Sequence, residues 1–192
     1  MSNTKRLKII LVAAILLVVA VTIAHVRSAT SIDTTQGVLT NFSEATRVVD
    51  GDTIVVEMAN GTQEKVRLVG INTPETVARR RAVECYGREA SQRMHGLVEG
   101  KLVRLEADPQ AGERDKYGRL LRYVYLQDGT LVNEVMIRDG YAHENGYGHP
   151  YKMRERFRTL EREARDNHRG LWDPRVCPEQ DHGPPTRERK RH

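Results

Sequence analysis

A chain of 192 residues is long enough for one domain of ordinary size with a hydrophobic core. Its formal net charge of +5 belongs to the two ends, because residues 1–27 carry +4 and residues 178–192 carry +1. The intervening part is neutral, so the basic composition gives no support for a protein whose folded surface attracts nucleic acid by net charge alone.

The first segment of the chain has the pattern of a membrane-targeting sequence. An almost unbroken apolar run covers Ile9–Ala24, and three basic residues precede it, Lys5, Arg6 and Lys8. This order predicts a signal peptide or an uncleaved signal anchor over residues 1–27, at the short limit for spanning, for which about 20 residues are usual. Because basic flanks stay in the cytoplasm, we expect the domain outside it, membrane-anchored or secreted. A buried core helix is the alternative for this run.

The strongest local pattern is a hairpin signal. Two alternating apolar runs, Thr53–Met58 and Lys65–Ile71, flank an Asn60-Gly61 turn. Asn-Gly tolerates the positive φ angles of a tight turn. Antiparallel pairing brings the start of the first strand beside the end of the second, so we expect Asp52 and Glu75 to lie near each other.

The rest of the chain alternates helical and strand-like patterns. One helical stripe runs from Tyr86 to Leu97, and a longer one runs from Met153 to about Asn167. Strand-like stretches at 102–106 and 119–126 lie between them, and Asn133 is expected to cap a short helix. These elements predict an α+β, mainly β fold, an OB-type barrel of five strands with three helices.

Composition divides the chain into four parts. Residues 28–37 form a polar linker after the N-terminal segment, and residues 38–175 form the folded domain, which we expect to be monomeric. Residues 176–192 are rich in proline and charge and predict a disordered tail.

The chain has two cysteines, Cys85 and Cys177. In an exported protein an even pair predicts a disulfide, which would add about 4 kcal/mol of stability in the chain-entropy model. Two buried free thiols are the alternative.

Polar residues collect where the hairpin strands begin and end. Asp50 and Asp52 precede the first strand, Arg67 lies in the second, and Glu75 follows it. Carboxylates beside an arginine suit a hard cation and a phosphate. Each feature alone has a plainer explanation, since the acidic pair can be a turn, Arg67 with Glu75 a structural ion pair, and Arg119 a solvated strand residue. Their joint occurrence favours a site.

Two further features are weaker. Arg79-Arg80-Arg81 can grip nucleic acid, but a charge run in a loop is more simply solvated. His143 and His149 flank a glycine-rich loop that can lie near a substrate.

Three motifs, in order along the chain, resemble those of the staphylococcal nuclease (thermonuclease) family. They are Asp50-Gly51-Asp52-Thr53, the run from Arg67 through Asn72-Thr73-Pro74-Glu75, and Asp115-Lys116-Tyr117-Gly118-Arg119. The resemblance covers roughly residues 38–175. It implies a five-stranded OB barrel with three helices and calcium-dependent hydrolysis of DNA and RNA phosphodiesters by an attacking water.

The resemblance also implies roles for individual residues. Asp52 is expected to bind calcium through its carboxylate, and Thr73 through its backbone carbonyl. Glu75 is expected to act as the general base or to orient the water. The remaining expected roles are phosphate clamps for Arg67 and Arg119, a nucleotide contact for Tyr117, and a weaker contact for Tyr147.

Position 72 departs from the family pattern, which usually has an aspartate there as a second charged metal ligand. Asn72 can still coordinate calcium through its amide oxygen but brings no charge. Because ligand charge is one determinant of calcium affinity, we expect weaker binding than in the usual family member, with activity retained.

The leading hypothesis is therefore a calcium-dependent extracytoplasmic nuclease that cleaves DNA and RNA with little sequence preference, anchored to the membrane through its N-terminal segment or secreted. A non-catalytic OB-fold module that binds nucleic acid or protein is the alternative. Family members without catalysis usually lack the clamp arginines or the glutamate, all of which are present here. A third reading, an anchored scaffold protein, depends only on the N-terminal segment and the tail.

Overall fold

Five strands close into a barrel in the structure, a computed structural model that describes residues 42–76, 84–145 and 148–178. Neighbouring strands pair in the order β1-β2-β3-β6-β5, and every pair is antiparallel except β3 with β6. The barrel strands are β1 (Phe42–Asp50), β2 (Thr53–Glu57), β3 (Gln63–Leu68), β5 (Leu102–Ala107) and β6 (Leu120–Leu126). This architecture confirms the predicted five-stranded barrel.

Some predictions concern residues outside these ranges. They are the N-terminal segment 1–27, the linker 28–37, Arg79-Arg80-Arg81, Tyr147 and the tail beyond residue 178. Among the residues that the structure describes, no helix is both long enough and apolar enough to cross a bilayer.

The predicted hairpin is formed by β2 and β3, with Thr53 opposite Arg67. The Asn60 side-chain oxygen accepts hydrogen bonds from the Thr62 N–H and hydroxyl, and Gly61 has a φ of 78°. The second strand was expected to continue to Ile71, but β3 ends at Leu68. Gly70, with a φ of 76°, turns the chain into β4 (Ile71–Asn72), which pairs with β7 (His143–Glu144).

In the described ranges three helices pack around the barrel, α1 (Gly87–Val98), α2 (Val132–Arg138) and α3 (Arg154–Asp166), and a short 3-10 helix follows at Gly170–Trp172. The predicted stripe is buried at Ala90, Met94 and Leu97, whereas Tyr86 precedes α1 and is half-buried. Phe157 of α3 is wholly buried in the same core. Removing such side chains from water is the main favourable contribution to folding, about 25 cal/mol per Å² of apolar surface.

Asn133 does not cap its helix, contrary to the sequence-based prediction. The N-cap position is Leu131, and Asn133 lies inside α2 and is fully buried. Its Oδ1 accepts a hydrogen bond from the Val124 N–H at 3.0 Å, and its Nδ2 donates to the Val69 carbonyl at 2.9 Å. Because a buried amide must be hydrogen-bonded, Asn133 fixes α2 against β6 and the turn that follows β3.

The C-terminal segment packs separately against the start of α1. Leu171 and Trp172 are buried with Ala164, and Tyr86 packs on this second cluster. Cys177, within the stretch predicted to be tail, is buried and forms a disulfide with Cys85, with a Cα–Cα distance of 5.8 Å.

Candidate active site

A cleft of about 650 Å³ opens beside one end of the barrel. Its walls come from the β1–β2 turn, the segment after β3, the β5–β6 loop, Asn145 and residues 149–151. Seven of the residues predicted from the sequence to bind metal, act in catalysis or contact substrate line it, namely Asp52, Arg67, Asn72, Thr73, Glu75, Tyr117 and Arg119. The topology therefore brings together residues that are up to 67 positions apart in the chain.

Asp52 is the buried centre of this cleft. Its Oδ1 accepts a hydrogen bond from the Thr53 hydroxyl at 2.9 Å. Its Oδ2 accepts one from the Thr73 N–H at 3.1 Å and pairs with Arg67 Nη2 at 2.9 Å. A Cβ at position 51 would lie 2.7 Å from the Thr73 side chain, so glycine there lets the β1–β2 turn approach Thr73 closely. These contacts fix the Asp52 carboxylate against the segment after β3.

Asp50 lies next to Asp52 in the cleft, although the metal-ligand set predicted from the sequence omits it. Its Oδ1 accepts a hydrogen bond from the Asp52 N–H at 3.0 Å. Burial, followed by the negative charge of Asp52, raises the pKa of Asp50 to about 6. Two crowded carboxylates are stabilised by a cation between or beside them. The sequence signal for Asp50 was available in the Asp50-Gly51-Asp52 motif.

Arg67 is 4% exposed and has an extended set of partners. Its Nη1 donates to the Leu68 carbonyl at 2.7 Å, and its Nη2 donates to Asn72 Oδ1 at 3.3 Å in addition to the pair with Asp52. Several directional bonds hold the planar guanidinium, so its orientation in the cleft is set before any ligand arrives.

Asp115 positions the second arginine. Its Oδ2 accepts a hydrogen bond from Arg119 Nε at 2.6 Å, and its Oδ1 accepts from the N–H groups of Tyr117 and Arg119. Burial alone would raise the pKa of Asp115, but the hydrogen bonds from Arg119 and from these N–H groups outweigh burial and lower the pKa below its ordinary value. Asp115 thus holds the loop around Tyr117 and orients Arg119.

Tyr117 presents its ring at the mouth of the cleft with 72% of its surface exposed. The Arg119 guanidinium lies 5.4 Å from the ring centre, and Lys116 Nζ lies 5.1 Å from it. An exposed aromatic ring flanked by two cations suits a base stacked on the ring with its phosphate beside it.

Glu75 lies on the exposed rim, and its backbone is held by Glu84. The Glu75 N–H donates to Glu84 Oε2 at 3.0 Å, and the Glu75 carbonyl accepts from the Glu84 N–H at 3.0 Å. Sequence reasoning did not find Glu84, because nothing in local spacing shows which side chain meets a backbone nine positions away.

The two histidines differ in their positions. His149 lines the cleft. His143 lies in β7 instead, with its ring edge-on to Trp172 at 4.8 Å, and is absent from the cleft lining.

The donor set fits a hard cation. Asp50, Asp52, Asn72 and Thr73 offer carboxylate, amide and carbonyl oxygens, which calcium and magnesium prefer. In the described ranges there is no group of three or more His, Cys, Asp or Glu residues arranged to hold a metal. An ion here would therefore depend on two acidic side chains, neutral oxygens and water.

The closed barrel and its cleft define a small OB-type protein with carboxylates and guanidiniums converging on one site. Residues 65–174 match the sequence model of the family described as staphylococcal nuclease homologue. The chain is 38% identical to the thermonuclease of Staphylococcus hyicus over 138 residues, which cover 70% of this chain and 79% of that protein. It is 37% identical to the thermonuclease of Staphylococcus intermedius over 127 residues, covering 66% and 73%.

A third relative is endonuclease YncB of Bacillus subtilis, 40% identical over 127 residues that cover 66% of this chain and 59% of the relative. The chain belongs to the staphylococcal nuclease family. It is a hydrolytic nuclease, and nucleic acid is its substrate.

Proposed function

We propose that this nuclease depends on calcium and hydrolyses phosphodiester bonds of both DNA and RNA, with little sequence preference, by attack of water. The observation that supports the proposal best is the convergence of Asp52, Arg67, Glu75 and Arg119 on one cleft. These side chains supply a cation site, a water-handling carboxylate and two phosphate-binding groups.

Calcium would be held by the Asp52 and Asp50 carboxylates with the oxygens of Asn72 and Thr73. When bound, the ion would polarise a phosphoryl oxygen and help to deliver the water. Burial, and after it the negative charge of Asp52, raises the pKa of Asp50, and a cation would offset both effects, which supports this assignment. Asn72 Oδ1 also accepts a hydrogen bond from Arg67, and this shared use supports the expectation of modest calcium affinity.

Glu75 orients the attacking water or takes its proton. Its place on the exposed rim gives the carboxylate access to solvent water, and general-base groups of this kind contribute about 10²- to 10⁴-fold in rate. Glu75 needs only to lie within hydrogen-bond reach of the water that faces the phosphorus.

Arg67 and Arg119 bind the scissile phosphate from two elements of the barrel. A guanidinium has five N–H donors, so the bonds of Arg119 to Asp115 leave donor capacity for phosphate oxygens. Negative charge grows on the equatorial oxygens in the transition state, and fixed donors aimed at them stabilise it more than the ground state.

Weak base preference follows from where the contacts lie. The charged groups of the cleft address the phosphate, which is the same for every nucleotide. Tyr117 offers a stacking surface, and every base has a face that stacks. The substrate is then a single strand or a frayed end whose bases can leave the stack.

We also propose that the domain works outside the cytoplasm, anchored through residues 1–27 or released as a secreted form. The basic-then-apolar N-terminal pattern supports this location. The Cys85–Cys177 disulfide supports it as well, because such bonds persist mainly in oxidising compartments.

The decisive experiment uses the full chain in mild detergent. Single-stranded DNA and a matched RNA are incubated with calcium or with a calcium chelator, and cleavage is followed on gels. We expect cleavage of both polymers with calcium and none with chelator. Cleavage that persists in chelator would refute the role of calcium, and cleavage of only one polymer would refute the broad substrate range.

A further inference from the structure

Glu84 and the adjacent disulfide support the exposed rim that carries Glu75. The mechanism above gives no role to either of them. We propose that Glu84 is a positioning residue for Glu75, and that the Cys85–Cys177 disulfide makes this positioning dependent on oxidation. The inference depends on the proposed function, because it concerns the carboxylate assigned there to the attacking water.

The first argument is the geometry between residues 75 and 84. Two hydrogen bonds of 3.0 Å join them, one to the Glu75 N–H and one to the Glu75 carbonyl. Both bonds end on the backbone of Glu75, so they fix the origin of its side chain and leave its carboxylate available. Because the rim is exposed, these two backbone bonds set the position from which the Glu75 carboxylate extends into the cleft.

The second argument is the close packing of α1 against the same backbone. A Cβ at Gly87 would lie 2.9 Å from the Glu75 carbonyl oxygen and 3.0 Å from that of Pro74. The Gly87 N–H donates to the Glu84 carbonyl at 3.1 Å, so the start of α1 and Glu84 are one unit. A glycine is required here by proximity, not by an unusual φ angle.

The third argument is that the C-terminal segment holds this unit in place. Tyr86 has a φ of 70°, a left-handed conformation that is strained for a non-glycine residue and persists only where its surroundings enforce it. Tyr86 packs on the cluster of Leu171 and Trp172, and the neighbouring Cys85 is bonded to Cys177. The C-terminal segment therefore holds Glu84 in place, and through Glu84 it holds Glu75.

The disulfide is open to reductants from one side, because Cys85 is exposed whereas Cys177 is buried. A dithiol reductant attacks the exposed sulfur and forms a mixed disulfide, which its second thiol resolves. The protein gains two thiols, and the reductant loses two electrons and two protons and closes to a cyclic disulfide. Reduction removes the covalent bond between Cys85 and the C-terminal segment. The hydrogen bonds of Glu84 to the Glu75 backbone then lose this covalent support.

The test measures kcat and KM of the full chain before and after complete reduction with a dithiol, which is verified as two free thiols per chain. We expect kcat to fall about tenfold with KM nearly unchanged, since misplacing a reacting group by about 1 Å costs up to about 100-fold in rate and the clamp arginines are not moved. An unchanged kcat in the fully reduced protein would overturn the redox part. An oxidised protein with no nuclease activity would instead refute the proposed function.

Variants separate positioning from simple loss of stability. Glu84→Ala should lower kcat about tenfold with the disulfide intact. Glu84→Gln should restore most of it, because its amide oxygen can accept the Glu75 N–H. Reduction of Glu84→Ala should add little further loss, since both changes break one linkage. A full second tenfold loss, or full activity of Glu84→Ala, would contradict the proposal.

A pair of glycine variants supplies the matched control. Gly87→Ala and Gly96→Ala make the same substitution in the same helix, at its first residue and in its interior. A Cβ at Gly96 meets no heavy atom within 4 Å, whereas one at Gly87 meets the Glu75 carbonyl. We expect lower kcat only for Gly87→Ala. Equal kcat values for the two variants would show that the backbone of Glu75 does not matter.

Discussion

The two walls of the cleft are held in different ways. On the barrel wall, Asp52 and Arg67 are buried and bonded to each other, Arg67 also to the Leu68 carbonyl and Asp52 also to the Thr73 N–H. On the rim wall, Glu75 and Tyr117 are exposed, and their positions are set through backbone bonds to Glu84 and Asp115.

The buried wall therefore carries groups that bind the cation and the phosphate, and the exposed wall carries the carboxylate that handles water. The groups that must meet a phosphate and a cation are preorganised by the fold, which is where electrostatic catalysis gains most. The groups that meet water and bases lie where solvent and a polymer have access. The barrel wall should therefore couple activity to stability, and the rim wall should affect activity alone.

Arg67→Ala should show the largest effect. We expect kcat to fall about 10³-fold from loss of a phosphate donor. We expect the free energy of unfolding to fall by about 3 kcal/mol as well, because the buried Asp52 carboxylate loses its partner. Steady-state cleavage and urea denaturation measure the two quantities.

Arg119→Ala is the matched control, since its pair with Asp115 is 26% exposed on the arginine side. It should also lose activity but less stability than Arg67→Ala, because Asp115 is partly exposed and keeps its hydrogen bonds from the N–H groups of Tyr117 and residue 119. Equal losses of stability in the two variants would remove the distinction between the walls.

Glu75→Gln tests the rim wall. The amide cannot take a proton from water, so kcat should fall about 100-fold, while the urea midpoint should stay at the wild-type value because the side chain is exposed. A loss of stability comparable to that of Arg67→Ala would mean that Glu75 is a structural group.

The residues of the site could be predicted from the sequence, but their division into a buried and an exposed wall could not. The Asn60-Gly61 turn fixed the register that sets Thr53 opposite Arg67, and the three motifs named the lining residues. These signals are local, because turn chemistry and strand periodicity act over a few residues.

The supports of the site could not be predicted, because they are made by residues distant in sequence. Glu84 binds the Glu75 backbone, and Asn133 joins Val69 to Val124 from inside a helix that it was expected to cap. A polar side chain near a helix start has the same local pattern in both roles. Only tertiary packing decides between a solvent-exposed cap and a buried bridge.

Asn72→Asp tests whether residue 72 contributes to calcium affinity. A second charged ligand should tighten calcium binding about tenfold, because ligand charge is a main determinant of affinity at such sites. Isothermal titration of calcium into the full chain, without substrate, gives the dissociation constant. Asn60→Asp is the control, since it adds the same charge at the β2–β3 turn, outside the cleft lining. Unchanged affinity in Asn72→Asp would mean that residue 72 is not a ligand.

Asp108 offers the smallest and most specific test of the barrel wall. It is buried, and it accepts hydrogen bonds from the Tyr123 hydroxyl at 2.6 Å and from the Lys152 N–H at 2.7 Å. It thereby ties the end of β5 to the segment that carries Tyr151 of the cleft. Burial alone would raise the pKa of Asp108, but the bonds from Tyr123, Lys152 and Gln110 outweigh burial and lower the pKa.

A carboxylate whose pKa is lower in the folded state stabilises the fold above its unfolded pKa, and the contribution disappears as pH falls through the folded pKa. Asp108→Asn should therefore cost about 1 kcal/mol at pH 7, the net scale of one intramolecular hydrogen bond. Urea denaturation of both proteins from pH 7 to pH 2 should show that difference shrinking only in the acidic range, below the ordinary pKa of an aspartate. If the difference in unfolding free energy between the two proteins stays constant down to pH 2, Asp108 contributes through its shape and not through its charge.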